Sequence, residues 1–413
     1  MSSISSTLPA AGAPTFRQDA TLIGLVGAGH LVSHFSQLWL APLFPWLKDE
    51  FNVSYTQLGL LLTVFFVVSC LVQAASGFLV DRHGPRPVLF GGLALLAVAG
   101  FGYAISTSYW GLMAFSVVAG LGNGVFHPVD YTLLNKKVST PRLGHAYSLH
   151  GVTGSLGWAL APAMLVPLTI AFSWRVAVAC AAGVAVFVLL VMWINARKLA
   201  LPAQPAAAKP SGAPQEHTLA FMRIPAVWMC FAFFFVYAMI LSVVQAFAPA
   251  AARELHQVPV ALAAMCLTAY MICAAGGAVV GGFLVADPSR AERIVGIGFG
   301  TAAVIALGIA TLPLPALVVP VMFGAMGVAS GLAGPSRDMI VKRSTPENAS
   351  GRVYGVVYSG LDIGQAFAPL IFGVLMDAGR FQGVWLGLVL LQGLLIASAF
   401  NVRRVRRTVA VPA

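Results

Sequence analysis

His30 and His34 lie one helical turn apart, with Gln37 three residues further on, so the three share one face of a helix. Histidine titrates between pH 5 and 8, and two rings this close disfavour double protonation. A proton site, a pair of interhelical hydrogen bonders and a metal pair all fit that spacing. Asn123, His127, Asp130 and Tyr131 form a second one-faced group, and Tyr358, Asp362 and Gln365 a third. Arg337 and Asp338 are adjacent charges in an apolar setting, and a planar guanidinium suits carboxylate or phosphate oxygens. His150 shares a stripe with Gly154, Gly157 and Ala161 and reads as a packing histidine. There is no nucleophile–base constellation, phosphate loop or metal-protease pattern, so an enzyme is not expected, nor is a cofactor or a resident metal.

These groups sit in a sequence that is 59% hydrophobic and only 9% charged, with a mean hydropathy of +0.87 over 413 residues. Soluble domains are about a quarter charged. The composition therefore indicates a membrane protein, in which an ionisable group within a span is costly and is a functional candidate. Apolar runs long enough to cross a bilayer fall near 20–45, 54–80, 86–106, 109–134, 144–170, 173–195, 222–251, 259–286, 291–312, 315–341, 351–377 and 381–402. That predicts an all-α protein with twelve membrane helices. Residues 1–200 form one six-helix bundle, 201–217 a Pro/Ala-rich cytoplasmic linker, and 218–413 a second bundle. The +11 net charge follows from topology rather than from nucleic-acid binding. With both termini inside, the cytoplasmic face carries most of the 24 Lys and Arg, including Arg403, Arg404, Arg406 and Arg407. Lys48, Arg175, Arg253 and Arg380 lie outside, and Arg337 within a helix. Cys70, Cys180, Cys230, Cys266 and Cys273 all fall in apolar runs and read as core thiols, not disulfides.

The two halves repeat. A shift of 207 places Pro128 on Pro335, Gly144 on Gly351, Gly157 on Gly364 and Ala161-Pro162 on Ala368-Pro369. Six helices per half make this a parallel repeat, with substrate expected between the halves near the bilayer midplane. The shift also sorts the polar residues, because a polar side chain in only one half does not serve the shared packing. His30, His34 and Gln37 face Tyr237, Leu241 and Val244 in the copy, and Asp130 aligns with Arg337. Those last two charges are expected to attract across the central space, as an ion pair closing the cytoplasmic gate, or Arg337 pairs locally with Asp338 or binds substrate.

One stretch carries a resemblance. Gly77-Phe-Leu-Val-Asp81-Arg82-His83-Gly84-Pro85-Arg86 joins the second and third runs, with a weaker copy at Gly282–Asp287. It resembles the loop signature of the major facilitator superfamily. His30-x-x-x-His34, Phe126-His127-Pro128 and Gly154-x-x-Gly157 are similar to the fosmidomycin-resistance-like exporters within it. The resemblance implies a secondary transporter of the bacterial inner membrane, working as a monomer by alternating access, with Gly77, Asp81, Arg82, Gly84 and Arg86 at its conformational gate. It departs from the wider family where a helix-four arginine would stand near Ser116, leaving His127 and Asp130 as substitutes for proton coupling. The expected activity is proton-coupled export of a small organic anion or drug-like molecule. Uptake of a carboxylate or a transition metal is the alternative within transport, and a non-transporting ligand sensor the alternative outside it. Expected partners are that substrate, protons and the lipid bilayer.

Overall fold

The computed structural model describes residues 15–201, 225–284, 290–344 and 351–409, and side chains within these except at 226, 284, 338–344, 351–356 and 401–409. All regular structure among them is helical: α1 (Phe16–Gln37), α2 (Phe44–Phe51), α3 (Tyr55–His83), α4 (Pro85–Ile105), α5 (Tyr109–Asn123), α6 (Phe126–Lys137), α7 (Leu143–Ala171), α8 (Trp174–Ile194), α9 (Ala196–Leu199), α10 (Pro225–Ala246), α11 (Ala248–His256), α12 (Val260–Leu284), α13 (Ala291–Thr311), α14 (Val318–Ser344), α15 (Gly351–Asp377) and α16 (Phe381–Val409). Eleven segments are long and apolar enough to cross a membrane, with α5 and α6 counted as one. The twelfth, α1, misses that threshold because Arg17, Asp19, His30, His34 and Gln37 dilute it. It packs against α7, α6 and α8 as a member of the first bundle. Linker residues 202–217 and the tail side chains Arg403, Arg404, Arg406 and Arg407 lie outside the described residues or side chains.

Local chemistry sets the boundaries. Thr15 with Gln18 and Ser54 with Gln57 form capping boxes that open α1 and α3. Gly84, at φ +79, gives the backbone a conformation other residues rarely adopt, and Pro85 then starts α4. The run expected as one helix over 109–134 breaks between α5 and α6. Pro128 has no N–H to offer Gly124 O, and the Ser76 hydroxyl reaches that oxygen instead at 3.3 Å. Packing uses small residues, as membrane helices do. A Cβ on Gly157 would fall on the α1 backbone at Leu31, and one on its repeat mate Gly364 on the α10 backbone at Phe235. Large apolar side chains such as Phe78, Phe172, Trp193 and Phe283 point outward, as a lipid-facing surface requires. Of the five thiols only Cys230 and Cys266 are buried. Cys180 is exposed, so the expectation that all five sit in the core fails there, because α8 turns that face outward.

The two bundles meet through α3 on α15 and α7 on α12. The α3–α15 seam starts at the N-terminal end of α3. There the Asp377 carboxylate accepts from Tyr55 N at 2.6 Å, Thr56 N at 2.9 Å and Thr56 Oγ1 at 2.5 Å. It continues through Gly59 on Pro369 and Thr63 Oγ1 donating to Ala366 O at 2.7 Å, and its last described polar contact is Gln73 to Asp362. Beyond that point α3 is open. Asp81, Arg82 and Arg86 are exposed, and Asp81 has no hydrogen-bond or ion-pair partner among the described residues.

Candidate functional site

The break between α5 and α6 turns His127 and Asp130 toward α1 and α7, where a polar cluster forms inside the first bundle. Asp130 is fully buried. Its Oδ2 lies 3.0 Å from His150 Nε2 and 3.2 Å from His30 Nδ1. The His30 and His150 rings stack with centroids 3.5 Å apart, and His34 lies 4.3 Å from His30. His127 lies 5.3 Å from His30, and Tyr131 5.3 Å from His150. Four histidines and one carboxylate from three helices therefore form one group. Gly154 makes room for it: a Cβ there would meet His34 and His30 ring atoms at 2.8–3.0 Å.

A shell of neutral polar groups holds the cluster. Trp158 stands 4.3 Å from the His34 ring and donates Nε1–H to Gln37 Oε1 at 2.9 Å. Asn123 accepts from Ser33 Oγ at 2.7 Å and donates to Ser69 Oγ at 2.9 Å. His127 Nδ1 lies 2.9 Å from Gln73 Oε1. Inside this shell His30 Nδ1, His34 Nδ1 and Asp130 Oδ1 are buried without a hydrogen-bond partner. A buried polar atom left unpaired carries a real free-energy cost.

The donor atoms of His30, His34 and His127, and of His30, Asp130 and His150, lie within 4.8 Å of one another, close enough for a cation. One observation favours hydrogen bonding in the second group, where Asp130 Oδ2 lies at hydrogen-bond distance from His150 Nε2; in the first, the Gln73 amide engages His127 Nδ1 and leaves its Nε2.

The remaining sequence-derived residues lie in the second bundle. The Arg337 guanidinium stacks 4.1 Å from the Tyr237 ring centroid, and Tyr358 lies against Phe234. Gln365 is buried, and its main-chain carbonyl accepts from Ser242 Oγ at 3.2 Å. The Asp338 side chain lies outside the described ones. Asp130 and Arg337 do not pair: the nitrogens within 4 Å of the Asp130 carboxylate are those of His30 and His150, on its own bundle. His150, expected to serve packing, is a cluster member. Gln73 and Trp158 were not singled out from sequence. For Gln73 the repeat offered a signal, since a shift of 205 sets it against apolar Ala278.

Comparison with known proteins places this architecture. The fosmidomycin resistance protein of Escherichia coli (strain K12) is 30% identical over 166 residues, covering 37% of this chain and 39% of that protein. The hexuronate transporter of Bacillus subtilis (strain 168) is 26% identical over 151 residues, 35% of each chain. The matched stretches thus span well under half the length of these curated relatives. A solved structure of a bacterial homologue of the human lysosomal transporter Spinster, inward-facing and unoccupied, superposes with a TM-score of 0.76. It covers 95% of this chain and 98% of that one at 14% identity, a likeness of fold. Residues 26–369 match the sequence profile of the Major Facilitator Superfamily, so this chain belongs to that family of transporters, which are not enzymes.

Proposed function

We propose that this chain is a proton-coupled exporter of small organic anions in the bacterial inner membrane, with both termini cytoplasmic and a monomer as the working unit. The observation that carries the proton part is the buried His30–Asp130–His150 contact, with His34 and His127 beside it. A carboxylate shared by two imidazoles in a protein interior holds or releases a proton according to the water it can reach. With the charge bias setting orientation, the seam between the bundles is closed at its outer end in this state. Proton and substrate need not meet. Each only has to bias the same rocking equilibrium.

The anion part rests on Arg337. Its fork is stacked on Tyr237 in the bundle facing the cluster and suits planar oxyanions. Arg337→Lys keeps the charge and loses both fork and stacking, so anion affinity should fall about tenfold, with a larger loss in Arg337→Ala. Equal affinity in wild type and both variants removes Arg337 from the binding site.

The test of the coupling uses proteoliposomes and labelled fosmidomycin, glucuronate and galacturonate. Wild type should move at least one of these against its gradient when a proton gradient is imposed. His30→Gln and His34→Gln should lose that driven transport and keep energy-independent counterflow. Full driven transport in the double variant overturns the coupling role. No gradient-driven movement of any of the three anions overturns the anion reading. Chelator-sensitive transport indifferent to the proton gradient replaces the proton by a metal ion.

A further inference from the structure

His30 and His34, one turn apart on α1, offer a pair of imidazoles, and zinc sites take three or four protein ligands. The fold supplies the third. The break between α5 and α6 brings His127 to this pair, and the donor nitrogens of the three fall within 4.8 Å of one another. Nitrogens bound to one zinc ion stand about 3.3 Å apart, so each of these has to move by less than about 1 Å. The second bundle has no equivalent, since the repeat sets Tyr237, Leu241 and Gly334 at the three positions.

Two of the rings are already held from behind. The Asp130 carboxylate stands 3.2 Å from His30 Nδ1, and the Gln73 amide oxygen 2.9 Å from His127 Nδ1. Nε2 of both rings is then left as the ligand atom, with the opposite nitrogen facing an acceptor. That arrangement orients metal-bound imidazoles and raises their basicity. In the third ring, His34 Nδ1 is buried with no hydrogen-bond partner. It borders the same small space as His30 Nε2, beside Gly154, where a Cβ would lie 2.9 and 3.0 Å from the two nitrogens. His34 and His127 are only half-buried, which gives an ion a way in.

We infer that His30, His34 and His127 form a binding site for a transition-metal cation of the zinc kind, with Asp130 and Gln73 as positioning residues behind two of the ligands. Imidazole nitrogen suits zinc, nickel and copper, whereas magnesium and calcium select oxygen ligands. The buried Asp130 carboxylate, beside His30, offsets part of the charge of a divalent ion. Three protein ligands leave a fourth position for water or an incoming donor group, as in exchangeable rather than structural zinc sites.

The test reads binding without substrate or proton gradient, so it fails separately from the proposed proton coupling. The untagged full chain in detergent is titrated with Zn2+, with Mg2+ as the control ion. Wild type should bind one Zn2+ at micromolar concentration and no Mg2+. His34→Gln and His127→Gln should each weaken binding about a hundredfold, and His145→Gln, at an exposed position of α7, should not. Gln73→Met removes the acceptor behind His127 but no ligand, and should weaken binding about tenfold; a mere spacer there would change nothing. X-ray absorption at the bound zinc should show nitrogen donors at about 2.0 Å and no sulfur. Thermal unfolding without metal checks that each variant is folded, and Zn2+ should raise the midpoint of wild type but not of His34→Gln. No Zn2+ binding in wild type, sulfur among the ligands, or wild-type affinity in the folded His34→Gln, His127→Gln double variant overturns the inference. If Zn2+ binds as expected but leaves gradient-driven transport of fosmidomycin, glucuronate or galacturonate unchanged, the metal site stands and proton coupling through His30 and His34 fails, because a nitrogen that holds the metal cannot take a proton.

Discussion

Gly157→Val should remove most of the folded protein. The added side chain falls on the α1 backbone at Leu31 and Phe35, and on His34 Cβ at 3.0 Å, so α1 and α7 must part along the line that joins His30 and His34 to His150. Overpacking of a close-packed interior costs roughly 3 kcal/mol, and rigid backbone on the far side leaves nothing to yield. Thermal unfolding in detergent should show a markedly lower midpoint. Gly151→Ala is the control on the same helix, because nothing lies within 4 Å of its added methyl group. Gly154→Ala separates fold from site. Its methyl group meets ring atoms of His34 and His30 rather than backbone, so the fold should survive while gradient-driven transport is lost. Wild-type stability in Gly157→Val would mean that the α1–α7 approach is not as close as described.

Asp377→Ala should open the seam at its closed end. The carboxylate serves two backbone N–H groups and one hydroxyl in the first turn of α3, where the helix dipole also favours an anion. Losing those charge-assisted bonds costs on the order of 3 kcal/mol, which is about a hundredfold in the balance between the two open states. Asp377→Asn keeps the shape but turns an amide N–H toward groups that already donate, so it should behave similarly. Spin labels at Thr107 and Leu312, in exposed turns on either bundle at that end, read the change as a longer distance population in both variants. An unchanged distance distribution would show that the seam is held by the packing of Gly59 on Pro369 and Gly373 on Thr56 instead.

Much of the fold was legible in the sequence because bilayer thickness and backbone hydrogen bonding leave few choices. Twelve apolar runs, a parallel repeat and a one-sided distribution of Lys and Arg describe two six-helix bundles without reference to any relative. The kink at Gly124 was harder to read. Pro128 announces a missing hydrogen bond, but whether a helix bends or breaks depends on what satisfies the freed carbonyl, here Ser76 from a helix 48 residues away. The candidate site was half legible. His30 and His34 stand out by spacing, and His127 and Asp130 by lying on one face, since helical periodicity is a local property. That both groups meet His150 follows from how closely α1 and α7 approach at Gly154 and Gly157, which periodicity does not encode. The pairing of Asp130 with Arg337 was inferred from alignment of the halves. Equivalent positions in a repeat need not touch, and Asp130 turned inward to its own bundle.

The central claim is that movement of the transported anion is tied to movement of protons through Asp130 and its histidines. The direct measurement is proton flux, read by a pH dye inside proteoliposomes, when fosmidomycin, glucuronate or galacturonate is added with no imposed gradient. Wild type should show a flux that depends on one of the anions and collapses with a protonophore, and Asp130→Asn, with the fold retained, should bind and exchange the same anion without moving protons. Anion exchange in wild type with no accompanying proton flux, or an undiminished flux in Asp130→Asn, would contradict it.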